Sequence, residues 1–254
     1  MNGILVLAQR ELVRFFRQRT RLFGSLAQPL LFWLLMGSGF ADSFVAGELA
    51  ESYSEFFFPG VALMLLLFGA IFSTITLIED RAAGFLQGVM VAPVSRVSIV
   101  LGKVIGGTSI AVIQATIFLV LAPFAGFEMT VARILGLVGL FALVGVGFTG
   151  LGFCVAWMSE TVAGYHAIMS MVMLPLWLLS GALFPLERAA EWLRLAMLAN
   201  PVTYAMQVIR GAFYESSRNL MAQPDYVFAV GVTALWALTT VALSVWVASR
   251  KTAT

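Results

Sequence analysis

Hydrolytic or redox chemistry needs paired acids and bases, a cluster of metal ligands or an activated nucleophile, and this sequence spaces none of them. A single histidine, His166, excludes an H-E-x-x-H zinc site, and no G-x-S-x-G elbow is present. The only aspartates, Asp42, Asp80 and Asp225, all fall in expected connections. Lys103 and Lys251 are the only lysines, and neither follows the G-x-x-x-x-G-K-[ST] loop that cradles phosphates. Cys154 stands alone inside an apolar run and reads as a small packing residue. His166 reads as structural or interfacial rather than as a ligand or switch. The expectation is a chain that is not an enzyme by itself, holds no metal or cofactor, and leaves any ATP to a partner.

What the charged residues can do is hold surfaces together. Arg10, Arg14, Arg17 and Arg21 follow a 4, 3, 4 spacing that gathers them within roughly 60° of a helix circumference. Leu5, Ala8, Leu12, Phe15 and Phe16 take the opposite face, with Arg19 on the wrong side. This pattern predicts an interface helix within 1–21, lying flat at the headgroups, either as a lipid anchor or as a docking element. A second charged segment runs from Glu79-Asp80-Arg81 through Gly84 to Pro93-Val94-Ser95-Arg96. Its leading acids suit a helix N-terminus and Pro93 would end that helix. It is either an ordinary solvated connection or a short helix that passes rigid-body motion from another subunit to the spans it joins.

Those segments must be positioned by a membrane domain. Of 254 residues, 61% are hydrophobic and 11% charged, against roughly a quarter charged in a soluble domain. Apolar runs near the roughly 20 residues needed to cross a bilayer recur along the chain. They predict an all-α protein with six spans at 22–40, 57–78, 99–122, 131–157, 165–184 and 226–248, forming a single transmembrane domain over 1–254. The first span is expected to be retained rather than cleaved as a signal peptide, because about twenty residues of basic helix is long for a leader. Ten of the fifteen Lys and Arg residues lie in the N-terminal segment, the 79–98 connection with Lys103, and the tail. Both termini are therefore expected in the cytoplasm. A net charge of +2 gives no reason to infer a nucleic-acid partner.

The six spans contain no Asp or Glu, which disfavours coupling to a proton or sodium gradient. Lys103 lies within about a turn of the cytoplasmic end of its span, from where it can snorkel. Gly102 and Gly106 form a G-x-x-x-G, and Gly145, Gly147, Gly150 and Gly152 crowd the fourth span. They suit either packing within the bundle or a face between copies. In 185–224, Glu187, Arg188, Glu191 and Arg194 alternate with apolar residues at helical spacing. Asn200-Pro201 then breaks the chain, and 202–213 can start another short helix.

These segments together resemble ABC-2 type transporter permeases, the membrane subunits of exporters of drugs, lipids or glycans. The resemblance rests on the basic N-terminal helix, Glu79-Asp80-Arg81 with Gly84, Ala92-Pro93-Val94-Ser95-Arg96 leading to Gly102-Lys103, and Leu179-Ser180-Gly181-Ala182-Leu183-Phe184-Pro185. Asn200-Pro201-Val202-Thr203-Tyr204 and Ile209-Arg210-Gly211 complete it. It implies a subunit of the bacterial inner membrane that forms a homodimer and docks on two ATP-binding subunits, which hold ATP and Mg. Docking would use the N-terminal helix and a 79–97 coupling segment. It further implies coupling positions at Asp80, Arg81, Gly84, Pro93, Arg96 and Lys103, and outer-face positions at Pro185, Asn200, Pro201, Tyr204 and Arg210. The uncharged interior suits an amphipathic cargo such as a drug, a lipid or a lipid-linked saccharide. A structural or assembly protein and an ion-coupled carrier are the alternatives.

Overall fold

The computed structural model describes residues 2–40, 52–91, 94–215 and 217–250, all in helices, turns or short links. Eleven α-helices are formed among them: α1 (Asn2–Arg17), α2 (Arg19–Gly39), α3 (Tyr53–Ala82), α4 (Phe85–Val91), α5 (Arg96–Phe118), α6 (Val131–Met158), α7 (Val162–Leu178), α8 (Glu191–Ala199), α9 (Pro201–Tyr214), α10 (Ser217–Leu220) and α11 (Pro224–Arg250). Hydroxyl and amide side chains open several of them. Ser52, Ser95, Thr130, Thr161 and Asn200 each accept a hydrogen bond from a backbone N–H in the first turn of the helix they precede. Such caps satisfy donors that no preceding carbonyl can reach.

Four helices among the described residues are long and apolar enough to cross a membrane: α3, α5 with the 3-10 turn Leu119–Ala125, α6 and α11. They match the expected spans at 57–78, 99–122, 131–157 and 226–248. The expected span at 22–40 falls on α2, and that at 165–184 on α7, which stops at Leu178. Residues 179–184 are turn and bend rather than helix. Residues 41–51 of the first connection lie outside the described residues.

Helix α3 is the central pillar, covered along nearly its whole length by α2, α5, α6, α7 and α9. Small residues let the pillars approach. A Cβ on Gly69 of α3 would stand 2.8 Å from the Ala111 backbone of α5. Gly145 of α6 faces Thr108 of α5, Gly147 and Gly150 face Trp236 and Thr240 of α11, and Gly152 faces Thr74 of α3. The glycines of the fourth expected span therefore serve packing within the bundle.

The helices share two poles. α3, α6 and α11 end, and α5 begins, at one pole together with α1 and α4. At the opposite pole α2 meets the start of α3, where Trp33 Nε1 donates to the Ser54 carbonyl at 3.1 Å. The segment 185–224 covers that pole with α8, α9 and α10, in place of a plain loop. α9 buries Val202, Met206, Ile209 and Phe213.

Candidate functional site

The chemistry-bearing side chains gather at the pole where α1 lies. Helix α1 ends because Gln18 leaves helical geometry (φ −94°, ψ 77°), so Arg21 belongs to α2 and the arginine row is interrupted after Arg17. The face that α1 buries is Leu7, Ala8, Glu11 and Phe15, a helical stripe that differs from the expected one. Of the expected apolar face, Ala8 and Phe15 are buried against the bundle, while Leu5 and Phe16 are exposed at 62% and 49%. Helix α1 lies along α5, and the G-x-x-x-G supplies its seat. A Cβ on Gly102 would stand 2.7 Å from Leu7 Cβ, and one on Gly106 would stand 2.8 Å from Glu11 Cβ. No other residue lets the two helices come this close.

This seating carries Glu11 against Lys103 of α5 and Asp80 of α3. Lys103 Nζ donates to Glu11 Oε1 at 2.7 Å, Asp80 Oδ2 at 2.6 Å and Thr76 Oγ1 at 3.1 Å, which uses all its donors. The Thr76 hydroxyl also lies 2.7 Å from Glu11 Oε2. Lys103 therefore does not snorkel: its side chain is 4% exposed, beside Glu11 at 2% and Asp80 at 3%. Its side chain has no need to reach for headgroups, because two carboxylates from distant parts of the chain meet the ammonium where it stands.

From the solvent side the guanidinium of Arg10 grips Asp80 with two nitrogens, at 2.8 and 2.7 Å. Two parallel donors on one carboxylate make the strongest and most directional ion-pair geometry. The hydrogen bond to Asp80 raises the Arg10 pKa above its ordinary value, with burial opposing the rise. Arg14 donates to Asp80 Oδ1 at 2.9 Å and to the Glu79 carboxylate. The cluster thus holds three cations, Arg10, Arg14 and Lys103, against three carboxylates, Glu11, Glu79 and Asp80. It is neutral as a unit. Burial of the charges makes it a weak source of net stability but a costly one to break from one side.

Glu79 and Asp80 occupy the last turn of α3, not the first turn of a following helix as their sequence suggested. Carboxylates are unfavourable at the negative end of a helix dipole. The three cations offset that cost. Gly84 ends α3, with φ +73° and its N–H on the Arg81 carbonyl, a left-handed position that a side chain would strain. Helix α4 follows at once, and Phe85 at its start lies under the Arg10 guanidinium at 3.8 Å. Pro93 lies outside the described residues.

Two further arginines tie spans to this pole. Arg81 donates to the Trp157 and Ser159 carbonyls at 2.8 and 2.9 Å, capping the end of α6. Arg96 donates to the Ala248 and Ser249 carbonyls at 2.7 and 3.2 Å, capping the end of α11. Neither joins the cluster. Arg17 is exposed beside Val13 and Arg14 on the outer side of α1.

The outer-face positions form a separate unit at the opposite pole. Pro185 precedes the 3-10 turn Leu186–Arg188, and Pro201 opens α9, where its missing N–H costs nothing. Asn200 Oδ1 caps α9 while its Nδ2 donates to the Leu176 carbonyl at 2.7 Å. Tyr204 donates to the Leu198 carbonyl. Arg210 donates to the Gly181 carbonyl at 2.8 Å and lies over the Phe56 ring. Burial lowers the Arg210 pKa to about 10, so it stays charged at neutral pH.

The residue that sequence reasoning missed is Glu11. Its signal was present: a lone carboxylate in a row of arginines, with a lysine in an apolar span that needed a counter-ion. Thr76 was missed as well, and a hydroxyl in an apolar helix gives no such signal.

Comparison with known proteins is consistent over most of the chain. Residues 2–214 match the sequence profile of the ABC-2 type transporter family. Over 221 residues, 85% of this chain and 76% of the relative, it is 30% identical to ycf38 of Cyanophora paradoxa, named as a transport permease. It is 26% identical over 218 residues to DrrC of Mycobacterium tuberculosis, named as a doxorubicin resistance ABC transporter permease protein, covering 82% of this chain and 75% of DrrC. It is 24% identical over 167 residues to YbhR of Escherichia coli K12, named as a multidrug ABC transporter permease, covering 65% and 45%.

Proposed function

Because this chain belongs to the ABC-2 type transporter family, a family of multi-pass membrane subunits of ABC transporters, we propose that it is the permease of an ATP-driven exporter. In this reading six helices, α2, α3, α5, α6, α7 and α11, cross the bacterial inner membrane as a single domain. Both termini and the ion cluster face the cytoplasm. Two copies pair, and each docks on an ATP-binding subunit that supplies ATP and Mg.

The observation that carries the reading is the neutral cluster that fastens α1 to α3 and α5 beside α4. A cytoplasmic subunit that pushes on α1 or α4 moves a load already bolted to the central helix. Arg10 links the two surface helices directly, through Phe85 on one side and Asp80 on the other. Arg81 and Arg96 extend the connection to α6 and α11. Motion at this pole is then a rigid-body displacement of four spans, without local bending of one.

The path for cargo is expected on the face formed by α2, α3 and α7. A groove of about 360 Å³ runs there, lined by Gln28, Met64, Phe68, Phe72, His166 and Met173 among others. Leu67, Ile71, Leu174 and Trp177 add to its apolar lining. A second copy of the chain against α2 and α7 would close the groove into a channel at the dimer interface. The mix of methionine, aromatic rings and a few polar tips suits an amphipathic drug, lipid or lipid-linked glycan. That DrrC and YbhR are named for drug resistance and multidrug transport supports this class of cargo.

Co-expression with a candidate ATP-binding subunit tests the reading. The two chains should co-purify, and ATP turnover should change when this chain is present in liposomes. No complex between folded partners, or solute accumulation by this chain alone, would overturn it.

A further inference from the structure

The pole opposite the ion cluster holds a cavity that neither coupling nor the proposed cargo groove uses. It has a volume of about 450 Å³ and lies between the start of α6, the end of α9, α10 and the start of α11. Its polar lining carries one charge of each sign, Arg133 from α6 and Glu215 just past α9. Leu140, Ala212, Leu220 and Met221 form the apolar remainder.

Neither charge is in an ion pair among the described residues. Arg133 donates one guanidinium N–H to the Glu128 carbonyl at 2.5 Å, leaving further donors of its planar fork. It stands in the first turn of α6, where the positive end of the helix dipole gives a cation no local compensation. Among the described residues the Glu215 carboxylate accepts a neutral hydrogen bond, from Gln223 Nε2 at 2.7 Å. Among the described residues, two opposite charges thus share one cavity without forming an ion pair with each other. Val131, Leu135 and Met221 are exposed beside it. The mouth therefore opens at the end of two spans, next to apolar surface that faces lipid.

We propose that this cavity is a binding site for a zwitterionic phospholipid headgroup bearing a primary ammonium, with its acyl chains laid along the start of α6. The phosphate takes the Arg133 fork, which matches its oxygens with two donors. The ammonium donates to Glu215. An anionic headgroup places no cation on Glu215, and a trimethylated amine has no N–H for it. The site needs only that α6 and α11 span a bilayer, so it stands or falls apart from the ATPase reading.

The test uses the full chain, stripped of lipid in detergent and mixed with phosphatidylethanolamine, phosphatidylcholine or phosphatidylglycerol in turn, with retained lipid counted by native mass spectrometry. Wild type should retain phosphatidylethanolamine over the other two. Arg133→Gln should lower that retention about tenfold, the loss expected for one charged hydrogen-bonded contact. Glu215→Gln should abolish the preference for the ethanolamine over the choline headgroup while phosphate binding persists. Met221→Trp fills the mouth without touching either charge and should reduce all three, which keeps the test open if Arg133→Gln does not fold. Equal retention of the three lipids, or retention unchanged in all variants, would overturn the proposal. So would equal competition by soluble glycerophosphoethanolamine, which would make the ligand a free phosphoryl amine and not a lipid.

Discussion

Replacing Lys103 with methionine keeps the length of the side chain and removes one charge from the neutral cluster. In the wild type Lys103 sits 2.7 Å from Glu11 and 2.6 Å from Asp80, so its loss leaves three carboxylates against two arginines. Asp80 keeps Arg10 and Arg14, but Glu11, still buried, keeps the neutral Thr76 hydroxyl at 2.7 Å and, as its cation, only Arg10 at 3.4 Å. Breaking a buried pair from one side costs about 3–5 kcal/mol, a large part of a typical stability of about 5–15 kcal/mol. For a chain of this size that is a fall in melting temperature of about 10 °C. Detergent-solubilised protein heated and run on size exclusion measures it. Adding Glu11→Gln to Lys103→Met restores neutrality, with Arg10 and Arg14 balancing Glu79 and Asp80, and should recover at least half of the loss. A single variant as stable as wild type, or a double variant no better than the single, would refute the view that Glu11 and Lys103 compensate each other.

The seat of α1 makes a steric prediction: Gly106→Leu would drive a side chain into Glu11 and the Ala8 carbonyl. It should lift α1 from α5 at a cost of about 1–3 kcal/mol and expose its first turns to protease, read as faster N-terminal cleavage at unchanged membrane insertion. Arg81→Ala leaves the Trp157 and Ser159 carbonyls without their donor and should destabilise the protein by about 1–3 kcal/mol. Faster amide exchange at the end of α6, with α11 unaffected, is the local signature to look for.

The bundle was legible because an apolar run of span length permits few alternatives. α3, α5, α6 and α11 fall on expected spans, and Asn200-Pro201 marks the start of α9 as its cap chemistry requires. The site was legible only in part. Arg10, Arg14, Asp80 and Lys103 were singled out separately, but the contacts that unite them cross 23 to 70 positions of sequence. An amphipathic pattern shows that a helix has two faces, not what covers each. The spacing of the arginine row suits a lipid anchor or a docking element alike, and does not show that Arg10 and Arg14 turn toward Asp80 of α3. Glu79 and Asp80 were placed at a helix start because acids favour that end; the left-handed turn at Gly84 puts them at a helix end instead, where partners from α1 and α5 compensate them. Arg81 and Arg96 looked alike in sequence, yet each caps a different span.

If work enters through this pole, as proposed, it is read most directly as cargo moved per ATP hydrolysed by the chain reconstituted with a candidate ATP-binding subunit. Asp80→Asn keeps the shape of the side chain but removes the charge that holds Arg10, Arg14 and Lys103 on α3. In a variant that still inserts and binds its partner, ATP turnover should continue while transport per ATP falls about tenfold or more, the loss of one charged contact in the proposed coupling path. Unchanged transport per ATP in that variant would contradict the account.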